Sequence, residues 1–244
     1  MTVPACQTPP AGSDSILVNG VSRLVAPGPA RRAEPVDWMN IMARVHWKGS
    51  ALLAPVPSVL VTSGTADRAN VLTVGWTGVI STRPPRVYIS LRPERHSHGI
   101  IKETGEFVIN LVPAALAEVA DWCGTVTGRR VDKIAKTGLT LIPSETVAAP
   151  SLADCPLSLE CRVFDVRPMG SHDLFLADVT GVSAEEALLD ESGRLRLERA
   201  GLLVFSHGEY FELGRRIGPI GLSVANKKKG KLAKVPAKKS GGGR

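Results

Sequence analysis

The chain has 244 residues, enough for one large domain or two small ones, and its 43% hydrophobic and 22% charged residues are ordinary for a globular protein. No apolar run approaches the roughly 20 residues that a membrane helix needs, and the N-terminus has no signal-peptide pattern, so neither membrane insertion nor secretion is predicted. The four cysteines include no CxxC pair. We therefore expect free thiols, no metal site and a cytoplasmic location.

The net charge of +7 is concentrated at the C-terminus. Residues 226–244 hold seven lysines, Arg244 and no acid, which gives +8 and leaves −1 for the rest of the chain. With almost nothing apolar to bury, this tail is predicted to be disordered. Its plainest role is a solvated extension, and weak, salt-sensitive contact with nucleic acid is the alternative. The proline-rich residues 1–36 are predicted to form a flexible arm, which leaves 37–225 as the domain.

Most of this domain predicts β-strands. They are expected, in chain order, at 58–63, 71–81, 86–92, 106–112, 158–168 and 172–186, the last two joined as a hairpin around Met169 and Gly170. Short helices are predicted over 97–104, 113–121 and 131–136. Many strands with a few helices between them favour an antiparallel barrel with helical decorations.

The strand over 71–81 has an unusual face. Because side chains alternate along a strand, Thr73, Gly75 and Thr77 are expected on one side. Glycine lets another group approach the backbone closely, so this face could form a shallow trough for a flat ring. A tight packing contact with a neighbouring strand is the alternative interpretation.

The following strand runs into the basic loop PERHSHG. Ser97 is predicted as the N-cap of a helix that begins near His98, and a helix N-terminus offers free N–H groups and partial positive charge. Arg92, Arg95, His96 and His98 add to that charge. The pattern predicts an anion site, for which phosphate fits best, and a solvated basic loop is the alternative.

A trough for a flat ring next to a phosphate pocket is typical of a mononucleotide site. The common dinucleotide and triphosphate patterns, GxGxxG after a strand and GxxxxGK[ST], do not occur. Neither a GxSxG nucleophile motif nor an HExxH pair is found. The sequence therefore favours a bound nucleotide over a side-chain nucleophile or a metal centre.

From about Trp47 to Val224 the chain resembles the flavin reductase-like, FMN-binding split-barrel proteins, which include flavoredoxin. The matching motifs are NVLTVGWTGVISTRPPRVYISLRPERHSHGIIKETGEFVINL, DWCGTVTGRRVDKIAKTGLT and LECRVFDVRPMGSHDLFLADV. The resemblance implies a mainly β fold, an antiparallel six-stranded split barrel with a few short helices. It also implies a homodimer with FMN near the subunit interface.

The resemblance further implies which residues hold FMN. The backbone of residues 72–76 is expected along the isoalloxazine ring, and positions 70 and 73 at its edge or ribityl chain. Ser90, Arg92, Ser97 and His98 are expected at the phosphate. Lys133 is interpreted either as a residue near the cofactor or as an ordinary surface lysine. The candidate cofactor-binding residues are Asn70, Leu72, Thr73, Val74, Gly75, Trp76, Thr77, Ser90, Leu91, Arg92, His96, Ser97, His98 and Lys133.

The implied activity needs no catalytic side chain, because the flavin carries the redox chemistry. The expectation is an NAD(P)H-dependent FMN oxidoreductase that reduces free flavin or another acceptor, with a flavin-dependent monooxygenase or an electron-transfer protein as its partner. The alternative is an FMN-binding electron carrier of the flavoredoxin type without a nicotinamide site of its own. FMN rather than FAD is inferred by analogy.

Overall fold

A computed structural model describes residues 45–223. The predicted arm over 1–36 and the tail over 226–244 lie outside the described residues, so the domain boundaries stay predictions. Residues 45–50 belong to an N-terminal unit and contain a bend but no helix or strand, whereas residues from Ala51 onward belong to a second unit. Among the described helices, none has both the length and the apolar character that a membrane crossing requires.

The second unit is built mainly of short antiparallel strands. Its strands are β1 (Val56–Pro57), β2 (Val59–Ser63), β3 (Asn70–Val74), β4 (Thr77–Thr82), β5 (Pro85–Leu91), β6 (Glu106–Leu111), β7 (Leu141–Ile142), β8 (Ser151–Leu152), β9 (Leu157–Pro168), β10 (Asp173–Ala184), β11 (Leu203–Ser206) and β12 (Glu209–Glu212). Its α-helices are α1 (His96–Thr104), α2 (Ala117–Thr125) and α3 (Lys133–Thr137).

The main sheet has the order β3-β2-β6-β9-β10-β5-β4, and every neighbouring pair is antiparallel. β3 and β4 stand at opposite ends of this order, yet only Gly75 and Trp76 separate them along the chain. The sheet must therefore curl until its two edges approach each other. A bond from the Ser90 amide to the Trp76 carbonyl, 2.9 Å long, ties this connection to β5. The result is the predicted fold class, a mainly β split barrel.

The sequence analysis was wrong to treat residues 71–81 as one strand. The segment is divided at Gly75 and Trp76 because β3 pairs with β2 whereas β4 pairs with β5, so the main sheet has seven strands instead of six. The β9–β10 hairpin is confirmed, with Gly170 in its turn at φ 89°. The three helices also occur, with α2 extending to Thr125. The C-terminal hairpin β11–β12 was not predicted.

Two apolar clusters position the functional region. The main core is formed by alternate side chains of the sheet strands, among them the fully buried Ile89, Phe107 and Phe175. A second cluster lies between the sheet and α2, where Val71 of β3 packs with Ala120. This second cluster holds α2 against β3, and the cavities described next lie at that junction.

Candidate functional site

An apolar cleft of about 300 Å³ lies along β3, between the end of β5, helix α2 and the C-terminal hairpin. Its wall is largely the β3 backbone, because the Leu72 and Val74 side chains are themselves buried in the core. The Thr73 hydroxyl donates to the Ala120 carbonyl, which fastens this wall to α2. The predicted residues that line the cleft are Leu72, Thr73, Val74, Gly75, Trp76, Ser90, Leu91 and Arg92.

A polar pocket of about 320 Å³ adjoins the apolar cleft, and the two share Leu72, Arg92 and Arg95 in their walls. The pocket lies between the start of α1, the end of β3 nearer Asn70 and the loop that follows α2. The predicted residues that line it are Asn70, Leu72, Arg92, His96, Ser97 and Lys133.

Ser97 contributes a hydroxyl to the polar pocket, but the prediction that it caps α1 was wrong. The helix begins at His96, so Arg95 occupies the N-cap position, without a side-chain capping bond. Ser97 Oγ instead accepts from Asn70 Nδ2 at 2.7 Å and from Ser63 Oγ at 3.3 Å. With its oxygen accepting from two donors, its own hydrogen remains available to an acceptor in the pocket.

Gly128 closes the opposite side of the polar pocket. A Cβ added to this residue would lie 1.9 Å from Asn70 Oδ1, so no larger residue fits while Asn70 keeps its position. This close approach holds the loop after α2 over the asparagine. The sequence analysis did not single out Gly128, although its place in the motif TVTGRR offered a signal.

The polar pocket is basic. Arg92 is largely exposed, with Nη1 3.6 Å from Glu94 Oε1, while Arg95 donates from Nη1 to the Gly124 carbonyl at 2.9 Å. Burial, together with the positive charges of Arg129 and Lys133, lowers the pKa of His96 below its usual value. In this pocket an anion would therefore contact arginines that carry a permanent positive charge. The neighbouring His96 favours its neutral form, because its pKa is lowered.

Lys133 lies beneath the polar pocket and is not the surface lysine of the alternative interpretation. It is 2% exposed, and its Nζ donates to the carbonyl of Val71 at 3.0 Å and to that of Cys123 at 2.6 Å. Burial lowers its pKa to about 8. The Cys123 thiol is likewise buried, and burial raises its pKa, in keeping with a structural role.

Two predicted residues, Thr77 and His98, line neither cavity. The Thr77 hydroxyl donates to the Tyr88 carbonyl at 2.6 Å, because the chain changes direction before β4 and breaks the expected Thr-Gly-Thr face. His98 is buried, with Nε2 2.8 Å from Asp173 Oδ2 and its ring edge against Phe175. Since residues two apart on a helix point in nearly opposite directions, His98 faces the sheet when His96 faces the pocket.

The far wall of the apolar cleft comes from residues that the sequence analysis missed. Asp121 of α2 accepts a hydrogen bond from the Tyr210 hydroxyl at 3.2 Å, and Phe205 packs against the Tyr210 ring with centroids 5.5 Å apart. His172, whose Nδ1 is 2.9 Å from Ser171 Oγ, also lines the cleft.

A hairpin signal could have revealed part of this wall. The motif FSHGEY places His207 and Gly208 between two short apolar runs, and both residues have positive φ, 51° and 86°. A two-residue turn with both φ values positive is the usual connection of a tight hairpin. The contact between this hairpin and α2 across the cleft is a tertiary contact, and no local sequence pattern indicates it.

The arrangement fits a mononucleotide. A flat ring system could lie in the apolar cleft and a phosphate in the basic pocket, because the two cavities share a wall. The free hydrogen of the Ser97 hydroxyl and the cation of Lys133 are the kinds of group that a phosphate accepts from. Across residues 45–223, no cluster of three or more His, Cys, Asp and Glu side chains could hold a metal ion.

Comparison with known structures identifies the same fold. Flavoredoxin of Desulfovibrio vulgaris (Miyazaki F) superposes with a TM-score of 0.68 at 26% identity, covering 72% of this chain and 97% of that chain. An FMN-binding protein from Thermus thermophilus, solved with bound 1-cyclohex-2-enone, superposes with a TM-score of 0.61 at 28% identity over the same fractions, 72% and 97%.

Sequence relatives agree with this assignment. An uncharacterised protein of Pyrococcus abyssi is 33% identical over 163 residues, which cover 67% of this chain and 93% of the relative. An NADPH-flavin oxidoreductase of Streptomyces viridifaciens is 28% identical over 137 residues, 54% of this chain and 68% of that protein. Residues 52–214, which include both cavities, match the Flavin reductase like domain. The chain therefore belongs to the flavin reductase-like family, and its fold supports a flavin-related oxidoreductase or electron carrier.

Proposed function

We propose that the chain binds FMN across the apolar cleft and the polar pocket and acts as an NAD(P)H-dependent flavin oxidoreductase. The observation that carries the proposal is that the two cavities share the walls formed by Leu72, Arg92 and Arg95. One cavity is walled by strand backbone and apolar side chains, and the other is basic and polar. The FMN-binding protein of Thermus thermophilus, similar in fold and 28% identical, supports FMN as the ligand.

In this proposal each wall has a separate task. The backbone of β3 and the side chain of Trp76 would flank the isoalloxazine ring and keep bulk water from one of its faces. Ser90, Asn70 and Ser97 would contact the chain between ring and phosphate or the phosphate itself. Arg92 and Lys133 would supply the positive charge. When bound, the flavin itself supplies the redox chemistry, accepting hydride and passing electrons on.

Two of the predicted site residues would act indirectly. The pair of His98 and Asp173 fastens the start of α1 to β10, so it would fix the position of Ser97 and His96 beside the phosphate. Thr77 would hold the turn between β3 and β4 through its bond to the Tyr88 carbonyl. Neither residue is proposed to touch the cofactor.

The relative from Streptomyces viridifaciens favours a nicotinamide as the reductant, since its name is NADPH-flavin oxidoreductase. Reduced flavin would then serve free flavin, a flavin-dependent monooxygenase or an electron-transfer protein as acceptor. A cytoplasmic location is also part of the proposal, and the absence of a CxxC or disulfide-type cysteine pattern in the sequence supports it.

The second candidate is an FMN-binding electron carrier without a nicotinamide site. It is supported by the similarity to flavoredoxin of Desulfovibrio vulgaris, at 26% identity over 72% of this chain. Both candidates use the same flavin site, so they differ only in the electron donor.

The test has two steps. First, protein at neutral pH is titrated into FMN, and quenching of flavin fluorescence is expected; no quenching would contradict the proposed cofactor. Second, the FMN-loaded protein is mixed anaerobically with NADH or NADPH. The visible absorbance of the bound flavin is expected to fall after mixing. Bleaching by dithionite but by neither nicotinamide would favour the electron carrier instead.

A further inference from the structure

Asp121, on α2, brings a negative charge to the apolar cleft. It is the one carboxylate among the described residues that line this cleft. No lysine, arginine or histidine of residues 45–223 forms an ion pair with it. A charge beside an apolar space acts more strongly than the same charge in open water, because its surroundings screen it less. The field of Asp121 therefore acts on any molecule in the cleft.

One hydrogen bond fixes the position of this carboxylate. The Tyr210 hydroxyl donates to Asp121 Oδ1 at 3.2 Å, and the Tyr210 ring packs edge-on against Phe205. Burial and the charge of Asp121 raise the pKa of Tyr210, so its hydroxyl keeps the hydrogen that it donates. In the part of the chain that the structure describes, no other group bonds to this carboxylate. Since a carboxylate accepts several hydrogen bonds, Oδ2 is left for a ligand.

The far wall is the side of the cleft from which an electron donor would meet a bound flavin. In the proposed function the flavin ring lies against the backbone of β3, so this backbone covers one of its faces. The opposite face is then turned toward α2 and the C-terminal hairpin, where Asp121 and Tyr210 lie. A donor that reacts with the ring inside the cleft occupies the space between the flavin and this wall.

Hydride transfer to the flavin creates a positive charge on a nicotinamide donor. The C–H bond at C4 of the dihydronicotinamide ring breaks, and the hydride takes both electrons of that bond to the flavin. The nicotinamide ring is thereby oxidised to a pyridinium cation, while the flavin is reduced and gains the negative charge. A carboxylate that is already in place beside the nicotinamide stabilises the transition state more than the neutral reactant, because the cation is only then forming.

We propose that Asp121 is a catalytic residue, whose carboxylate stabilises the positive charge that the nicotinamide ring acquires as it gives up its hydride. The inference rests on the proposed function, because it takes NAD(P)H as the donor and bound FMN as the acceptor. It goes beyond that function by assigning a side chain to chemistry that the sequence analysis left to the flavin alone.

Anaerobic single-turnover reduction of the FMN-loaded protein measures the effect of this charge. Asp121→Asn removes the charge, keeps the shape and can still accept from Tyr210. It is expected to slow bleaching by NADH or NADPH about fivefold, the upper end for a charge pair at an exposed side chain. Reduction by dithionite, an anion that acquires no positive charge, should be no slower in the variant than in the original protein.

Glu118→Gln is the matched control for the loss of charge. Glu118 lies on the same helix and is exposed, but it lines neither cavity. Its replacement should leave the rate of bleaching by either nucleotide unchanged. Equal slowing in Glu118→Gln and Asp121→Asn would contradict the role given to Asp121, because it would make the effect one of the helix's charge as a whole.

A binding measurement tests the same charge without turnover. The probes are 1-methylnicotinamide, which is a pyridinium cation, and nicotinamide, the neutral ring, and each is titrated into FMN-loaded protein while the flavin absorbance is followed. The original protein should bind the cation about fivefold more tightly than the neutral ring. Tyr210→Phe, which leaves the charge in place, should keep this preference, and Asp121→Asn should lose it. Equal affinities of the original protein for the two probes would contradict the inference, even if Asp121→Asn did not fold.

The outcomes separate this inference from the proposed function. If FMN does not bind, or if neither nucleotide bleaches the FMN-loaded original protein, the proposed function fails and the inference fails with it. If the original protein is bleached and Asp121→Asn is bleached equally fast, the inference alone fails. Slower bleaching of Asp121→Asn by the nucleotides, with dithionite reduction unimpaired, is the result expected.

Discussion

At the scale of single residues, the polar pocket depends on side chains that bind one another before any ligand arrives. Asn70, Ser97 and Ser63 are buried and joined by hydrogen bonds of 2.7 and 3.3 Å. Buried polar groups that are already oriented in this way can contact a ligand with little further loss of side-chain entropy. The arginines at the rim differ, because Arg92 remains largely exposed and contributes mainly charge.

Replacement of Arg92 with alanine tests the phosphate end of the proposed site. We expect the affinity for FMN to fall by about tenfold, and that for riboflavin to change little, because only FMN carries the phosphate. A hydrogen bond to a charged group contributes about 1.5–3 kcal/mol, and the exposure of Arg92 favours the lower value. Fluorescence titration with the two flavins measures the difference.

Arg86→Ala is the control for this substitution. Arg86 lies on β5, the strand that ends just before Arg92, but its guanidinium pairs with Asp178 at 2.8 Å and lines neither cavity. It should leave both affinities unchanged. Equal losses for FMN and riboflavin in Arg92→Ala would mean that Arg92 does not meet the phosphate.

Gly128→Ala tests the contact that closes the polar pocket. The added Cβ would lie 1.9 Å from Asn70 Oδ1, so the Asn70 side chain must move and its bond to Ser97 is expected to break. Losing one buried hydrogen bond of about 1 kcal/mol corresponds to roughly fivefold weaker binding of FMN. Gly99→Ala on α1 is the control, because a Cβ there meets no atom within 4 Å. Unaltered FMN affinity in Gly128→Ala would show that the asparagine is not needed in its present position.

At the scale of elements, β3 serves both the core and the site. Leu72 and Val74 point into the main core, and Val71 packs beneath α2, so the strand is held on both faces. Its backbone is consequently a rigid wall for the apolar cleft. The loop before β8 is held in a different way, through one buried carboxylate on β9.

That carboxylate belongs to Glu160. Oε1 accepts from the Glu145 amide at 3.0 Å, and Oε2 accepts from the amide and the hydroxyl of Thr146, both at 2.6 Å. Burial raises the pKa of Glu160, but the hydrogen bonds from Thr146 and Glu145 outweigh it and hold the pKa below its usual value. The ionised carboxylate of Glu160 is therefore more stable, relative to its protonated form, in the folded chain than in the unfolded chain.

Glu160→Gln should lower the free energy of unfolding by about 1–3 kcal/mol at neutral pH. The reason is that the NH₂ group of glutamine would face the N–H and O–H donors of residues 145 and 146, where the carboxylate now accepts. The stabilisation by the carboxylate is present above the ordinary glutamate pKa of about 4.3 and is lost as pH falls through the lower pKa of the folded state. Denaturant unfolding at several pH values should thus show a smaller acid-induced loss in Glu160→Gln than in the original chain. The exposed Glu103→Gln is the control, and equal pH profiles for all three proteins would contradict the role given to Glu160.

At the scale of the whole molecule, two strands of the main sheet carry exposed apolar residues. Val79 and Ile80 of β4 are 72% and 47% exposed, and Phe164 of β9 is 44% exposed. Arg86 of β5 links the two strands, because it pairs with Ser81 of β4 and its guanidinium lies 4.3 Å above the Phe164 ring. Exposed apolar residues of this kind support the homodimer that the family resemblance implies.

Ile80→Asp should weaken that dimer, because a carboxylate would have to be desolvated in the subunit contact. Light scattering at micromolar concentration is expected to give twice the chain mass for the original protein and a lower mass for the variant. Ile142→Asp is a suitable control, since Ile142 is similarly exposed, at 39%, on β7 outside the main sheet. A monomeric original protein that still binds FMN would contradict the homodimer.

The sequence by itself determined most of the strands and helices and one part of the site. Alternating and apolar runs predicted the strands around Ile89 and Phe107, and the basic loop after β5 predicted where positive charge gathers. These features follow from neighbours along the chain, for which periodicity and turn residues are direct signals. Resemblance to the family then supplied the backbone wall of β3, which no pattern of side chains reveals.

Only the tertiary structure decided which surfaces meet. The direction in which His98 points depends on how α1 packs against Phe175, and the burial of Lys133 depends on β3 and α2 meeting beneath it. Tyr210 reaches Asp121 from 89 positions away in sequence. Such contacts are set by the packing of whole elements, because a local sequence fixes an element's period but not its partner. For that reason the sequence predicted the positive charge near residue 92, where the structure has the polar pocket, and yet left open whether Lys133 is buried or exposed.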